Sequence, residues 1–189
     1  IFSKNYLLKE AITKREIASI LRCDLSLIIS TFEMDLLQNF FKIDQKLLYH
    51  LPFMLSQIDK TQVASWKRFD ERKNFTMIGN FLHAPNVDAV LVLKNTIWKQ
   101  IREQLPAAEL HIYGAYPTQQ ILELHNKKEG FFVKGFVSSP EDVVRNTKVV
   151  LAPLRFGAGI KGKLTEAMVF GAPSVTTSIG AEGMHGQLP

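Results

Sequence analysis

The chain has 189 residues, 46% of them hydrophobic and 22% charged, a composition that excludes a disordered protein. Its formal charge of +5 comes from scattered basic residues without a run of five, so no nucleic-acid surface is predicted. No apolar stretch approaches the roughly 20 residues of a membrane helix, and no signal-peptide pattern opens the sequence. Cys23 is the one cysteine, so the sequence predicts a reducing, cytoplasmic setting with this residue buried among apolar neighbours.

The first third of the chain predicts a small α/β unit. Apolar residues at helical spacing predict a helix over residues 9–21, followed by a short buried strand over residues 25–30. Thr31 is predicted to cap a second helix that ends near residue 41, and residues 46–50 are predicted to be extended. The charged segment 59–74 lacks an apolar period, so it is predicted to be a linker between domains 1–58 and 75–189.

The remaining sequence alternates between strands and helices, which predicts a Rossmann-like parallel sheet with flanking helices. The longest predicted helix covers residues 85–105 and places Trp98 in the core. Ligands of such sheets lie beyond the carboxyl ends of the strands. The predicted strands are residues 75–78, 109–113, 131–134, 149–152 and 174–177, and the loops that follow them, 79–83, 114–117, 135–138 and 154–162, are the candidate ligand loops.

The densest chemical signal is the glycine-rich segment Gly157-Ala158-Gly159-Ile160-Lys161-Gly162-Lys163, which follows a strand and opens a helix. Glycines let a ligand approach the backbone, and the first amides of a helix favour an anion. The spacing also fits two other motifs. A dinucleotide fold would need the turn directly after the strand, whereas three residues intervene, and a P-loop would need Ser or Thr at Leu164 to hold magnesium.

Glu166 lies about one helical turn after Gly162 and admits two interpretations. It is either a solvated helix residue or an acceptor of hydrogen bonds from ribose hydroxyls, with the amides above it holding a diphosphate. His83 is predicted to border the cleft, whereas His111 alternates within a strand and is predicted to be structural.

With these residues the sequence resembles the family 4-type glycosyltransferases of the two-domain GT-B fold. Besides the glycine-rich segment, the likeness is carried by Met77-Ile78-Gly79-Asn80-Phe81, His83-Ala84-Pro85-Asn86-Val87-Asp88, residues 105–114, Gly135-Phe136-Val137, Ala152-Pro153-Leu154-Arg155 and residues 176–184. The resemblance implies that residues 75–189 are an incomplete GT-B donor domain. It implies that residues 1–58 are the end of the acceptor domain. It also implies that this fragment binds the nucleotide-sugar donor but does not catalyse sugar transfer.

The resemblance further implies a retaining, metal-independent enzyme that transfers sugar from a UDP- or GDP-sugar during polysaccharide or other cell-surface glycan synthesis. No cofactor is implied; the partners are a nucleotide-diphosphate sugar and a glycan or lipid-linked acceptor, with a peripheral membrane contact in the second case. Arg155 and Lys161 are expected to stabilise the departing diphosphate. The donor site is expected to comprise Gly79, Asn80, Gly135, Phe136, Val137, Gly157, Ala158, Gly159, Ile160, Gly162, Lys163 and Glu166.

This chain departs from the family pattern at two places. The family's paired glutamates correspond to Glu166, expected to bind ribose, and to position 158, where this chain has Ala158. Asn80 and Asn86 stand where many relatives place Arg and Lys. A nucleotide-sugar epimerase of the same fold and a non-catalytic donor-binding module therefore remain alternative functions.

Overall fold

A computed structural model of the protein describes residues 10–184. The described chain divides into two compact units. The first contains the residues up to Leu55 together with Ala158–Ile160 and residues 181–184, and the second contains Ser56–Gly157 and Lys161–Gly180. Within the described range, no helix combines the length and the apolar character needed to cross a bilayer. Residue 9, where the first helix was predicted to begin, and residues 185–189 of the predicted donor domain lie outside this range.

The first unit pairs two short parallel strands beside two helices. Its elements are α1 (Ala11–Ile20), β1 (Ser26–Ile28), α2 (Thr31–Asp35) with a π-helical turn (Leu36–Phe40), a 3-10 turn (Gln45–Leu47) and β2 (Leu48–His50). Strands β1 and β2 run parallel, with Leu27 opposite Tyr49. Leu37, Ile43 and Leu48 form its buried core.

Three local expectations in this unit are wrong. The strand over residues 25–30 was predicted to be buried, whereas Leu27 at the centre of β1 is 57% exposed. Ser30, not Thr31, caps α2, because its hydroxyl accepts a hydrogen bond from the amide of Glu33 at 3.4 Å. Cys23 is exposed, because it lies in the turn that follows α1 and not in the strand. The predicted elements themselves are present with shorter bounds.

The second unit is a five-stranded parallel sheet with helices on both faces, as predicted. Its elements are α3 (Lys60–Ala64), a 3-10 turn (Phe69–Glu71), β3 (Lys73–Ile78), α4 (Ala84–Val92) with a π-helical turn (Leu93–Ile97), α5 (Trp98–Gln104), β4 (Leu110–Tyr113), α6 (Gln119–Leu122), β5 (Phe131–Gly135), α7 (Pro140–Asn146), β6 (Thr147–Ala152), α8 (Gly162–Val169) and β7 (Ser174–Thr176). The strand order is β5-β4-β3-β6-β7, so the first strand of this sheet, β3, lies in the middle. Strands β4 and β5 are added on one side of it, and β6 and β7 on the other.

Apolar side chains cover both faces of this sheet. Met77, Leu110 and Ile112 of the strands pack with Leu93 and Trp98 of the α4–α5 layer on one face. On the other face a smaller cluster joins β6 to α7 and α8, formed by Val144, Val150, Ala167, Phe170 and Ala172. Trp98 is 1% exposed and its indole nitrogen donates to the carbonyl of Glu129, so its predicted core position is confirmed.

The segment 59–74, predicted as a linker, is part of the second unit. Trp66 lies against Gly171, where a Cβ atom would approach its ring within 2.4 Å. Arg72 is 4% exposed, and its guanidinium donates to carbonyls of Lys67, Arg145, Thr147 and Phe170. The last three carbonyls lie at the carboxyl ends of α7 and α8, where the helix dipoles favour a cation.

Candidate functional site

A cavity of about 330 Å³ lies in the second unit, where strands β3, β4 and β5 end and α8 begins. This is the side of a parallel sheet on which ligands bind, and the strand order reverses beside it. The cavity brings together six residues of the expected donor site, namely Gly79, Asn80, Phe136, Val137, Lys163 and Glu166. Ile78, Asn86, Gly114, Ala115 and Pro140 complete its lining.

Two glycines let the strand ends approach each other at the floor of the cavity. A Cβ atom on Gly114 would lie 1.9 Å from the carbonyl oxygen of Gly79 and 2.6 Å from the Phe81 ring. A Cβ atom on Gly79 would lie 2.7 Å from the side chain of Asn86. Both positions therefore require glycine for packing, and the backbone is left accessible to a ligand.

The N-terminus of α8 presents backbone amides without a side-chain cap. Lys161 occupies the N-cap position, where its side chain does not cap the helix, and Gly162 is the first helical residue. The first amides of a helix have no acceptor within the helix, so those of Gly162 and Lys163 are available to an anion. A Cβ atom on Gly162 would meet nothing within 4 Å, which shows open space at this end.

Lys163 is the cation that lines the cavity. Its ammonium donates to the amide oxygen Oδ1 of Asn86 at 2.5 Å. Burial, with a smaller contribution from the charge of Lys161, lowers the pKa of Lys163 to about 8. No carboxylate of residues 10–184 forms an ion pair with it. A half-buried ammonium whose partner is a neutral amide is expected to attract an anion.

Glu166 lines the same cavity, one helical turn after Lys163. Burial raises the pKa of its carboxyl group, and the nearby carboxylate of Glu141 on α7 raises it further. Glu166 is an exposed residue that lines the cleft, so its carboxylate is accessible both to solvent and to a ligand. The geometry agrees with the interpretation in which this carboxylate accepts hydrogen bonds from ligand hydroxyls.

Asn80 and Asn86 form a hydrogen-bonded loop that holds Lys163. The side-chain amide of Asn86 donates to the carbonyl of Asn80 at 2.8 Å, and the amide of Leu82 donates to Oδ1 of Asn80 at 2.8 Å. Both asparagines are consequently fixed by the loop between β3 and α4. Asn86 presents its oxygen to the ammonium of Lys163, so the two asparagines orient the cation and do not replace it.

Phe136 and Val137 form the wall contributed by the loop after β5. Phe136 is 72% exposed, so its ring lies at the surface and not in the core. Gly135 precedes it with φ of 74°, a conformation that glycine adopts readily and that lets the chain leave the strand here. An exposed aromatic ring at the rim of a cavity offers a flat surface to a planar ligand.

Several residues expected at the site are not among those that line the cavity. Arg155 is an exposed side chain paired with Asp88 of α4, an interaction that lowers the pKa of Asp88, and it does not line the cavity. The ammonium of Lys161 donates to the carbonyl of Gly157 at 3.2 Å. Gly157 adopts φ of 116°, and a Cβ there would meet the Pro85 ring at 3.2 Å. Ala158–Ile160 are part of the first unit.

The cavity also has lining residues that were not expected from the sequence, namely Gly114, Ala115 and Pro140. Gly114 and Ala115 follow β4, one of the strands whose loop was a candidate, so topology was their available signal. Pro140, Glu141 and Asp142 form the start of α7, and proline followed by acidic residues is typical of a helix N-terminus. Of the two histidines, His83 is an exposed residue at the start of α4 outside the cavity lining, and His111 is bonded to Glu109.

The sequence profile described as Glycosyl transferases group 1 matches residues 72–188. No curated protein sequence matches the chain. Solved structures with a similar fold include TarM (18% identity, TM-score 0.65, covering 87% of this chain and 32% of TarM). A complex of Anabaena HepE with UDP and glucose is a further match, with 14% identity and a TM-score of 0.61, covering 95% of this chain and 50% of HepE. WaaG, a glycosyltransferase involved in lipopolysaccharide biosynthesis, also matches, with 15% identity and a TM-score of 0.59, covering 92% of this chain and 50% of WaaG. The chain thus spans at most half the length of these proteins.

Proposed function

This chain belongs to the group 1 glycosyltransferases, and from that premise we propose that its second unit binds the nucleotide-diphosphate sugar donor. The observation that carries the proposal is the position of Lys163 and Glu166 on one helix, facing one cavity at the carboxyl ends of the strands. The whole protein would transfer the sugar to a glycan or lipid-linked acceptor. As the resemblance implies, it would be a family 4-type, retaining and metal-independent enzyme in the cytoplasm.

The diphosphate is assigned to the N-terminus of α8. Two phosphates carry the negative charge that the amides of Gly162 and Lys163 and the helix dipole favour. The ammonium of Lys163 supplies the full positive charge at this point, and Asn86 fixes its position. Lys161 adds positive potential, since its charge lowers the pKa of Lys163. The charge of Arg155 is offset by Asp88, so its direct role in binding diphosphate is smaller than the sequence indicated.

The nucleoside is assigned to the remaining walls of the cavity. Glu166 would accept hydrogen bonds from the ribose hydroxyls, because it lies one turn further along α8 than the proposed phosphate contacts. The base would lie against Phe136 and Val137, where an aromatic face and backbone groups are available. HepE was solved with UDP and glucose, so UDP is the first nucleotide to test.

During transfer the diphosphate leaves the anomeric carbon and gains negative charge. Hydrogen-bond donors that already point at the position of that charge lower the activation barrier, because they need not reorganise during the reaction. This effect is often the largest contribution to catalysis. The amides at the start of α8 and the ammonium of Lys163 are such donors. Ala158 stands where the family has its first glutamate, so the transferred sugar must be held by other groups.

Replacing Glu166 by Ala tests the ribose assignment. We expect it to weaken UDP binding by about 1–3 kcal/mol, because the charged acceptor of two hydroxyl hydrogen bonds is lost. Calorimetric titration of the chain with UDP, GDP, ADP and TDP gives the affinity and the base preference. Glu103→Ala, in α5 and outside the cavity lining, is the control. Equal affinities for the Glu166 variant and the unmodified chain would contradict the assignment.

Transfer itself is tested on the longer protein that contains both halves of the fold. A transferase releases nucleoside diphosphate and glycosylated acceptor only when an acceptor is present. An epimerase converts the donor without acceptor, and a binding module does neither. The acceptor dependence of nucleoside diphosphate release therefore separates the three functions.

A further inference from the structure

A second cavity, of about 520 Å³, lies between α7 and the face of strands β3 and β4 in the second unit. We call it the β4 groove and define it by Asn74, His111, Tyr113, Ser138, Asp142 and Asn146. It shares Val137 with the cavity of about 330 Å³ that forms the proposed donor site, called the donor cavity from here on, and its other lining residues are different. None of the residues that define the groove is used in the proposed donor site.

The floor of the β4 groove includes His111 and Tyr113, which project to the same face because side chains alternate along a strand. Glu109 comes just before β4, lies outside the groove lining and contacts the ring of His111. The Oε2 atom of Glu109 lies 2.9 Å from Nε2 of His111. A carboxylate only accepts hydrogen bonds, so Nε2 carries the proton and Nδ1 is an acceptor. Burial lowers the pKa of His111, which keeps the ring neutral.

The acceptor nitrogen of His111 lies close to two hydrogen-bond donors that also line the groove. The hydroxyl of Tyr113 and the side-chain amide of Asn74 each lie 3.4 Å from Nδ1. Asn74 adopts φ of 59°, which is uncommon for any residue except glycine and is tolerated best by asparagine. Such conformations concentrate at functional sites, because they place a side chain where regular strand geometry would not.

The charges around the β4 groove balance. Lys67 and Lys73 contribute two positive charges, and Glu71 and Asp142 contribute two negative ones. Lys67 donates to the side-chain oxygen of Asn146, so one cation already has a partner. A phosphorylated ligand would meet no excess of positive charge here. The groove thus favours a neutral ligand that makes many hydrogen bonds.

We propose that the β4 groove binds a neutral carbohydrate. Hydroxyl, amide and imidazole groups line it at hydrogen-bonding spacing, and the exposed carboxylate of Asp142 can accept bonds from two neighbouring sugar hydroxyls. The half-buried ring of Tyr113 offers an apolar face to the C–H groups of a sugar ring. This site is independent of the proposed donor site, and it stands whether or not the donor cavity binds a nucleotide.

Nuclear magnetic resonance titration of the ¹⁵N-labelled chain tests the proposal. Maltotriose, chitotriose and lactose are the probes, each added to millimolar concentration, with inorganic phosphate as the charged alternative. We expect at least one sugar to give saturable shifts of the Asn74, Tyr113 and Asp142 amides, and phosphate to leave these amides unchanged. Shifts with phosphate, or none with any of the three sugars, would overturn the proposal.

Matched variants separate binding from folding. Asp142→Asn is expected to weaken sugar binding about tenfold, because a charged acceptor becomes a neutral one. Glu141→Gln removes the same charge from the same first turn of α7 and is expected to leave sugar affinity unchanged. Tyr113→Phe keeps the ring and removes the hydroxyl, so it tests the groove in a variant with minimal change in packing. Equal sugar affinity in Asp142→Asn, Tyr113→Phe and the unmodified chain would refute the assignment. Shifts of Gly162 and Lys163 on addition of UDP report on the donor site separately.

Discussion

At the scale of the residue, the identity of the cation in the donor cavity depends on neighbours that are distant in sequence. Arg155 comes just before the glycine-rich segment and Lys163 is its last residue, so both are candidates to bind a phosphate. Asp88 pairs with the first, and Asn86 holds the second at the cavity. Because α4 carries both partners, the packing of α4 beside α8 selects Lys163.

The pH dependence of UDP binding tests the role of Lys163. Its pKa is about 8 in the free chain, and an adjacent diphosphate would raise that pKa by favouring the charged form. Binding should therefore take up a proton near pH 8.5, and the affinity should change little between pH 7 and 7.5 and fall by up to about tenfold per pH unit as the pH rises above 8. A terminal phosphate loses its last proton near pH 6, so the ligand charge is constant over this range.

Calorimetry in two buffers of different ionisation enthalpy measures the proton uptake directly. Lys163→Met is expected to bind UDP weakly with an affinity that no longer falls between pH 7.5 and 9. Lys99→Met, an exposed lysine of α5, is the matched control and should keep the pH dependence. A pH-independent affinity in the unmodified chain would show that Lys163 does not contact the diphosphate.

At the scale of the element, the floor of the donor cavity depends on how closely β3 and β4 can approach at their carboxyl ends. The two strands pair in parallel up to Ile78 opposite Tyr113, and the glycines follow immediately. The amide of Gly79 donates to the carbonyl of Tyr113 at 3.1 Å. This bond continues the sheet by one residue and brings the backbone of both loops to the cavity.

We expect Gly114→Ala to lower the free energy of unfolding by about 1–3 kcal/mol, the usual cost of overpacking. Its methyl group would lie 1.9 Å from the Gly79 carbonyl oxygen, and backbone cannot move aside as a flexible side chain can. Gly162→Ala is the matched control, because its methyl group meets nothing within 4 Å and it should leave stability unchanged or slightly raised. Urea unfolding followed by tryptophan fluorescence measures both, and equal midpoints would contradict the steric argument.

At the scale of the whole molecule, Arg72 joins parts of the second unit that are far apart in sequence. Its guanidinium satisfies carbonyls in the segment before β3 and at the carboxyl ends of α7 and α8. The planar group and its several donors suit this arrangement, and a lysine could not reach all of these acceptors. The network holds residues 67–72 against the same two helices that line the donor cavity.

Replacing Arg72 by Met tests this network. We expect the free energy of unfolding to fall by about 3 kcal/mol, because buried carbonyls lose their donors. Trp66 and Trp98 both lie in the second unit, so their fluorescence during urea unfolding reports on it. Arg68→Met, at a side chain that is 81% exposed, is the control and should change the midpoint little. A similar midpoint for both variants would show that the network is dispensable.

Local sequence patterns determined the elements and the class of fold. Apolar periodicity and turn residues are properties of neighbouring positions, so they predicted the five strands, the long helix before β4 and the anion-favouring start of α8. The resemblance carried by the glycine-rich segment predicted a family 4-type glycosyltransferase. The match to residues 72–188 confirms a group 1 glycosyltransferase, and the family 4 type stays a prediction. The predicted helix caps and boundaries were less accurate, since a single hydrogen bond, as at Ser30, decides where a helix begins.

Only the tertiary structure decided which side chains share a cavity. Asn86 and Lys163 are 77 positions apart, and Arg72 and Phe170 are 98 apart, so no local pattern relates them. The β4 groove likewise requires α7 to pack beside β3 and β4, which makes a neutral polar pocket around a histidine expected to be structural. Side-chain direction and burial depend on contacts between distant segments, and those contacts exist only once the sheet has assembled.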